Sequence, residues 1–327
     1  MNEQTMTKIA RRFGVKVTGI KRIRKGIFRV AAPGGKTYSL KRMPKRIARL
    51  RWIDRTLQRI RNGGSLLAWR NPRMPEGRQL CVKAPTGEPY VLTPWISGRI
   101  PSPRSLSDMR ACGVALAKFH MNGRAGVQGQ IPYSRIGRWH ANLRSRQRKL
   151  LSMINKAKRN GFSPPINRFV QQISSEILQY SKQAGVLLRN SGYRAYSRNP
   201  RRYGVVSHGD GGPSNFILNA KGTYLIDFET VQVNLRAYDL YRIIYNSCKD
   251  HHWNFGIAKA ILSGYRQVAK LSKTDYKLIQ VWLRFPYSTY LALSPFDRIP
   301  LSKNSLKWAL ESEREIGTFL KKLNNYA

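Results

Sequence analysis

The spacing of apolar residues along the chain changes near Gly98. Before this point, short β-branched runs are separated by turn residues such as Pro33–Gly35, which predicts strands joined by tight connections. The predicted strands are Val15–Arg24, Ile27–Ala32, Lys36–Arg42, Leu80–Ala84 and Pro89–Leu92. One helix, Lys45–Arg61, is predicted among them, because its isoleucines and leucines recur every three or four residues. The first part of the chain therefore favours a β-rich unit that contains one helix.

After Gly98 the apolar residues follow a helical period, and Ser105 precedes the first such segment as a helix N-cap residue would. The predicted helices are Met109–His120, Trp139–Lys158, Asn167–Leu188, Leu235–Asp250, Phe255–Ala269, Lys273–Phe285 and Ser305–Leu323. The predicted strands of this part are Tyr203–Ser207, Phe216–Leu218 and Thr223–Phe228. We therefore expect an α+β fold of two lobes, with a β-rich N-lobe over residues 1–97 and a mostly helical C-lobe over residues 98–327.

Composition supports a globular protein. Hydrophobic residues make up 41% of the 327 residues, enough for a core. The sequence has no apolar run long enough for a transmembrane helix, and Met1–Phe13 lacks the apolar region of a secretory signal. Cys81, Cys112 and Cys248 lie far apart, which fits a reduced compartment with no disulfide framework and no metal-binding spacing.

The charge of the chain is strongly unbalanced. Sixty Lys and Arg residues stand against 16 Asp and Glu residues, which gives a net charge of +44. The basic residues are interleaved with apolar ones in Arg42–Arg61, Arg135–Arg159 and Arg194–Arg202, a pattern that predicts basic helical faces. Such a surface attracts nucleic acid, anionic polymers or acidic proteins. The alternative is adaptation to a particular compartment without a specific polyanionic partner.

One polar segment carries a pattern typical of phosphoryl transfer. Asp210 precedes Asn215 by five residues, and Asp227 follows an apolar strand in the next predicted hairpin. Phosphoryl transfer needs a group that orients the attacking hydroxyl and oxygen ligands for Mg²⁺. Asp210 can supply the first, and Asn215 and Asp227 can supply the second. The structural alternative is a polar turn capped by Asp210 and Asn215.

This segment, His-Gly-Asp-x₄-Asn followed by Ile-Asp-Phe-Glu, resembles the catalytic loop and metal-binding Asp of the aminoglycoside phosphotransferase and choline kinase superfamily, which has a protein-kinase-like fold. The chain from Val15 onward is more narrowly similar to the bacterial spore coat protein S family. The segments that carry the narrower similarity are Tyr38–Arg42, Leu92–Gly98, Leu116–His120, Arg236–Leu240 and Phe285–Tyr287. The resemblance implies an ATP- and Mg²⁺-dependent phosphotransferase site.

The resemblance also implies roles for single residues. Asp210 corresponds to the catalytic base, and Asn215 and Asp227 correspond to the metal ligands. Lys41, near the end of a predicted strand, corresponds to the lysine that reaches the α- and β-phosphates.

Further roles concern the nucleotide base and the support of the loop. Thr93 and Trp95 belong to the hinge against which adenine packs, or to an interlobe linker with a buried tryptophan. Asp239 corresponds to a structural acid that bonds the catalytic loop, the alternative being a charge in the first turn of a helix. We expect His208 to hold the loop through its ring nitrogens.

Two departures from kinases affect the expected activity. The segment Arg22–Ile27 has one glycine where kinases carry a Gly-rich loop. The predicted helix that would pair with Lys41 contains only Asp54, a short acid, where kinases have a glutamate. The alternative to an active phosphotransferase is therefore a catalytically weak or inactive structural coat protein on a kinase scaffold.

The resemblance places the protein in the mother-cell cytoplasm or the spore coat, with other coat proteins or anionic polymers as partners. Its basic helices favour an anionic acceptor over a cationic aminoglycoside. Nucleic-acid binding is less favoured, because the sequence has no zinc finger, no RNP-type aromatic motif and no Gly-x-x-Gly clamp.

Overall fold

The computed structural model describes residues 2–43, 46–124, 132–294 and 301–327. Helix α1 (Glu3–Arg11) precedes an antiparallel sheet whose strands run in the order β1-β2-β3-β5-β4. The strands are β1 (Gly19–Arg24), β2 (Ile27–Ala31), β3 (Thr37–Arg42), β4 (Val82–Lys83) and β5 (Pro89–Pro94). This sheet confirms the β-rich N-lobe.

The outer face of the sheet is covered by α1. Met6, Ile9 and Phe13 are buried at helical spacing and form one apolar cluster with Phe28 and Leu40 of the sheet. Asn2 caps the helix, because its Oδ1 accepts a hydrogen bond from the backbone N–H of Thr5 at 3.0 Å. The apolar pattern of this segment did not lead us to predict a helix.

The opposite face of the sheet belongs to the main core. Helix α2 (Ile47–Asn62) buries Leu50, Ile53 and Leu57 in the same cluster as Val91 of β5 and the helices of the C-lobe. Its predicted start at Lys45 lies outside the described residues. The inner face of the sheet and the C-lobe thus share one core, which fixes the lobes against each other.

The C-lobe is largely helical, as expected. Its helices are α3 (Leu106–Gly123), α4 (Trp139–Lys158), α5 (Pro164–Asn190), α6 (Tyr193–Arg198), α7 (Pro200–Tyr203), α8 (Arg236–Cys248), α9 (Phe255–Arg266), α10 (Lys273–Arg284), α11 (Tyr287–Leu293) and α12 (Lys303–Tyr326). Ser105 is the N-cap of α3, and its Oγ accepts a hydrogen bond from the N–H of Asp108 at 3.3 Å. The described helices include none long and apolar enough to cross a membrane.

Two short strand pairs lie between the helices. Strand β6 (Gly204–Ser207) pairs with β9 (Gln232–Leu235), and β7 (Phe216–Asn219) pairs with β8 (Gly222–Leu225). The segment that carries the phosphoryl-transfer pattern connects β6 to β7 and follows β8. The strand pairs therefore hold both parts of that pattern in fixed positions.

Three predicted boundaries are wrong for identifiable reasons. The first strand begins at Gly19, because Val15 is buried with α1 instead of joining the sheet. Leu235 ends strand β9 opposite Gly204 and does not begin a helix. The strand predicted to reach Phe228 ends at Leu225, because Asp227 has a φ of 67°. The proposed lobe boundary after residue 97 stays a prediction.

Candidate active site

A cleft of 510 Å³ lies between the sheet and the C-lobe. Its walls are mainly apolar, with Ile23 and Ile27 from the β1–β2 hairpin and Ile217 and Ile226 from the C-lobe. The six residues predicted to act in catalysis or in nucleotide and metal binding all line it. These residues are Lys41, Thr93, Trp95, Asp210, Asn215 and Asp227. The structure thus brings together residues that lie up to 186 positions apart along the chain.

Strand alternation explains which residues of β5 face the cleft as far as Thr93. Val91 and Thr93 line it, whereas Tyr90 and Leu92 belong to the cluster under α1. From the end of the strand onward, the consecutive residues Pro94, Trp95 and Ile96 also line the cleft. The backbone N–H of Trp95 donates to the carbonyl of Thr37 at 3.0 Å, which fixes the backbone of this segment.

A buried carboxylate organises the loop that follows β6. Asp239 Oδ1 accepts hydrogen bonds from the Ser207 hydroxyl at 2.8 Å and the Gly209 N–H at 2.9 Å. Asp239 Oδ2 accepts from the His208 N–H at 2.7 Å and from His120 Nε2 at 2.9 Å. Burial raises the pKa of Asp239, but the His120 bond and the other donors outweigh it and hold the pKa below its ordinary value. Asp239 is therefore an anionic anchor for this loop.

His208 and Gly209 fix the loop from its other side. His208 Nε2 donates to the Ile226 carbonyl at 2.8 Å, and the Thr230 hydroxyl donates to the His208 carbonyl at 2.8 Å. Gly209 has a φ of 84°, and a Cβ at this position would lie 2.5 Å from the Thr230 carbonyl oxygen. These contacts tie the loop carrying Asp210 to the segment carrying Asp227.

Asp210 stands at the end of this loop with its side chain 49% exposed. Its Oδ1 accepts a hydrogen bond from Arg242 Nη2 of α8 at 2.6 Å. Asn215 Nδ2 donates to the Asp210 carbonyl at 2.6 Å, and the described hydrogen bonds leave Asn215 Oδ1 unused. Both residues line the cleft, and each keeps one side-chain oxygen outside the described hydrogen bonds.

Asp227 lies beside this loop, because the backbone N–H of the preceding Ile226 donates to the Asn215 carbonyl at 3.0 Å, and it is bound by cations of the N-lobe. Its Oδ1 accepts a hydrogen bond from Lys41 Nζ, and its Oδ2 lies 3.1 Å from Arg24 Nη2. Glu229 Oε2 lies 3.5 Å from Lys41 Nζ. The side chains of Lys41 and Asp227 are only 15% and 19% exposed, which strengthens their interaction.

Asp54, the acidic residue of α2, does not pair with Lys41. Asp54 is buried and accepts hydrogen bonds from Arg70 Nε and Trp69 Nε1, each at 2.8 Å. Lys41 is instead held by Asp227 and Glu229. The position of the lysine is therefore fixed by carboxylates of the site itself.

The β1–β2 hairpin covers this part of the cleft without a Gly-rich loop. Gly26 takes a φ of 78° at its tip, and Arg24 extends from the hairpin to Asp227. The hairpin thus brings a cationic side chain to the cleft in place of a series of glycines.

The donor set fits Mg²⁺. Asn215 and Asp227 offer hard amide and carboxylate oxygens in one cleft. The side chains of Lys41 and Arg24 contact Asp227, which shows that positive charge is favoured beside this carboxylate. Within the described residues, no cluster of three or more His, Cys, Asp or Glu side chains could hold a metal alone. Mg²⁺ bound here would therefore share its coordination with phosphate oxygens and water.

Sequence reasoning missed two residues of the site. Arg242 contacts Asp210 across 32 positions, and His120 contacts Asp239 across 119. His120 lies in one of the segments that carry the family resemblance, whereas nothing distinguished Arg242 among sixty Lys and Arg residues. Arg24 was noted only as part of the segment Arg22–Ile27, without its partner Asp227, which lies 203 positions away.

The sequence pattern of the phosphotransferase enzyme family matches residues 24–271, which is most of the chain and includes every predicted site residue. A comparison with curated protein sequences gave no match.

Solved structures share the fold over nearly the whole chain. An aminoglycoside phosphotransferase from Alicyclobacillus acidocaldarius has a TM-score of 0.80 at 19% identity, over 100% of this chain and 96% of its own. A spectinomycin phosphotransferase solved with ADP and spectinomycin has a TM-score of 0.62 at 13% identity, over 98% of each chain. An amicoumacin kinase solved with AMP-PNP and Ca²⁺ has a TM-score of 0.61 at 14% identity, over 100% of this chain and 94% of its own. The fold is therefore kinase-like.

Proposed function

Because the chain belongs to the phosphotransferase enzyme family, we propose that it transfers the terminal phosphoryl group of ATP to a hydroxyl group of an acceptor. The observation that carries this proposal is the convergence of Lys41, Asp210, Asn215 and Asp227 on one cleft. Residues from both lobes meet there, and such a cleft can hold two reactants in a fixed orientation.

Asp210 is the proposed catalytic base. Arg242 occupies its Oδ1, so its other oxygen is the one that faces an acceptor hydroxyl. The hydroxyl loses its proton to Asp210, and its oxygen forms a bond to the terminal phosphorus. The bond from that phosphorus to the bridging oxygen breaks, and ADP leaves with the electron pair.

Asn215 and Asp227 are the proposed metal ligands. They would hold Mg²⁺, which would supply positive charge to neutralise the phosphates. Lys41 and Arg24, which contact Asp227, are positioned to bind phosphate oxygens from the N-lobe side. Thr93 and Trp95 are the proposed contacts of the adenine. The nucleotides in the spectinomycin phosphotransferase and amicoumacin kinase structures support a nucleotide in the equivalent cleft.

Transfer of labelled phosphate from ATP to fractionated small-molecule extracts tests this proposal. We expect Asp210→Asn to lower transfer by about 10²-fold or more, because the base is lost while the loop keeps its anchor. Asp250→Asn is the matched control, since the side chain of Asp250 is 56% exposed and forms an ion pair with the neighbouring Lys249 after the end of α8. Equal activity of the Asp210 variant and the wild type would refute the assigned base.

We also propose that the protein is a component of the bacterial spore coat, either as an active kinase or as a weakly active scaffold. The similarity of Leu92–Gly98 and Arg236–Leu240 to the spore coat protein S family supports this role. The net charge of +44 suits assembly with acidic coat proteins or anionic polymers. The protein then resides in the mother-cell cytoplasm before it joins the coat.

Fractionation of sporulating cells tests the coat role. We expect the protein to appear during sporulation and to remain with the coat fraction after washing. Accumulation only in the soluble fraction of vegetative cells would refute this part of the proposal and leave the phosphotransferase proposal intact.

A further inference from the structure

A second cleft, of 340 Å³, lies within the C-lobe. Asn142 of α4 and Asn234 of β9 line one part of it, and Tyr238, Trp282 and Tyr290 line the other. It is separate from the cleft that holds Lys41 and Asp227, because the two share no lining residue. Its size is near the lower end of the range for small-molecule sites.

The second cleft is cationic. Arg135, Arg146 and Lys149 line it, and no Asp or Glu is among its lining residues in the described part of the chain. The first cleft, by contrast, is lined by the carboxylates of Asp210 and Asp227. The second cleft therefore attracts negative charge, whereas the first suits a metal–phosphate complex.

Two buried hydrogen-bond donors in this cleft lack an acceptor. Arg146 Nη1 and Trp282 Nε1 are both buried without a hydrogen-bond partner among the described residues. Trp282 is only 2% exposed. The guanidinium of Arg146 lies 4.8 Å from the centre of the Trp282 ring. Unsatisfied buried donors are uncommon in folded proteins. Both residues line the cleft, so an anion bound there would be an acceptor for them after a small turn of either side chain.

The second cleft is linked to the catalytic loop. The guanidinium of Arg146 lies 5.1 Å from the centre of the Tyr287 ring, and that of Arg242 lies 5.9 Å from the same ring. Arg242 is the residue that binds Asp210. Gln232, which lines the second cleft, pairs in register with Ser207 at the start of the loop. The second cleft is therefore connected to the loop that carries the proposed base through Tyr287 and Arg242 and through the β6–β9 pair.

We infer that the second cleft binds the anionic group of the phosphate acceptor, and that the acceptor is a small polyhydroxylated compound bearing a carboxylate or a phosphate. Arg135, Arg146 and Lys149 bind the anionic group, and the free donors of Arg146 and Trp282 complete its hydrogen bonds. Asn142 and Ser145 supply hydrogen-bonding groups for hydroxyls. This inference rests on the proposed phosphotransferase function.

Calorimetric titration of the full chain with four sugar probes tests the ligand class. Glucose 6-phosphate and gluconate carry the two anionic groups, and glucose and glucosamine are the neutral and cationic comparisons. At about 0.15 M salt, which screens long-range attraction, we expect at least one anionic probe to bind and neither comparison to bind. Tighter binding of glucose 6-phosphate indicates an acceptor with a phosphate group, and tighter binding of gluconate indicates an acceptor with a carboxylate. Failure of both anionic probes, or equal binding of glucose, overturns the inference.

Two double variants of α4 distinguish binding in the second cleft from attraction by the overall positive charge of the protein. Arg146→Gln with Lys149→Gln removes two cleft cations, and Arg144→Gln with Arg148→Gln removes two exposed cations of the same helix. We expect the first pair to weaken binding of the anionic probe roughly tenfold or more, as loss of charged hydrogen bonds does, and the second pair to leave it nearly unchanged. Equal losses would overturn the inference.

A further titration with ADP and Mg²⁺ keeps the two proposals distinguishable. If Arg146→Gln disturbs folding, ADP binding falls as well. In that case the single variant Lys149→Gln, at an exposed position, replaces the double variant. Intact ADP binding with no selective loss of the anionic probe contradicts the second cleft only. Selective anion binding without any ADP binding contradicts the phosphotransferase proposal instead.

Discussion

Asp239 shows how a single buried carboxylate positions residues that it does not adjoin in sequence. It accepts four hydrogen bonds, three of them from the consecutive residues Ser207, His208 and Gly209. The fourth comes from His120, whose Nδ1 lies 2.8 Å from the Tyr265 hydroxyl. The orientation of Asp210 therefore depends on a charge that is fully buried.

We expect Asp239→Asn to lower the free energy of unfolding by about 3 kcal/mol or more. The amide has one acceptor oxygen where the carboxylate has two, so its NH₂ group faces buried donors that then lack an acceptor. Urea denaturation of the variant and the wild type measures this difference. Asp250→Asn, at an exposed position, is the control and should change stability by less than about 0.5 kcal/mol. A small effect of the Asp239 variant would show that the loop is held by other contacts.

The roles proposed for Asp210, Asn215 and Asp227 follow from spacing and family resemblance, because both signals are local in sequence. Their partners do not follow from either. Arg242 and Arg24 reach the site only after α8 and the β1–β2 hairpin have packed, and a basic chain offers many equivalent candidates. Long-range ion pairs are set by tertiary structure, so the sequence alone could not predict them.

At the scale of elements, apolar periodicity predicted the longest helices well, because α4, α5 and α12 each bury one stripe of residues at helical spacing. Helix α1 was missed although Met6, Ile9 and Phe13 follow the same spacing, since the segment is short and its mean composition is polar. Strand β9 was missed because its four residues have a signal too short to separate from the helix that follows. Short elements are specified mainly by the partners they pack against.

The C-terminal helices contain a buried acid whose titration affects stability. Glu313 of α12 accepts hydrogen bonds at its Oε1 from the N–H groups of Ser288, at 2.9 Å, and Thr289, at 3.5 Å. Burial raises the pKa of Glu313 to about 8, and these bonds and the charge of Arg284 only partly oppose the effect. The folded protein therefore keeps a proton on this group at pH values where the unfolded chain releases it.

The sign of the pH effect follows from proton binding. Between the ordinary glutamate pKa of 4.5 and about 8, the native state binds more protons than the unfolded state, so stability falls as pH rises through this range. We expect Glu313→Gln, which keeps the acceptor oxygen and does not titrate, to reduce the fall in melting temperature between pH 5.5 and pH 8, two values chosen within that range of about 4.5 to 8. Glu315→Gln, on the exposed side of α12, is the control. Parallel melting curves for Glu313→Gln and the wild type would contradict the burial argument.

At the scale of the whole molecule, the net charge of +44 governs association more than folding. We expect the protein to bind polyglutamate and duplex DNA with similar affinity, and both affinities to fall steeply with salt as counterions are released. Fluorescence anisotropy at several salt concentrations measures both. An affinity that stays flat with salt would contradict charge-driven binding. A strong preference for DNA would favour the nucleic-acid hypothesis over anionic polymers.

Asn215 and Asp227 are proposed to hold a metal–nucleotide complex in the cleft between the lobes. Calorimetric titration with AMP-PNP, with and without Mg²⁺, tests it most directly on the wild type, Asp227→Ala and the control Asp250→Ala. We expect Mg²⁺ to strengthen nucleotide binding to the wild type and the control but not to Asp227→Ala, whose Lys41 and Arg24 are left free to bind phosphate directly. Absence of nucleotide binding to the wild type, or an equal Mg²⁺ effect on all three proteins, would contradict the claim.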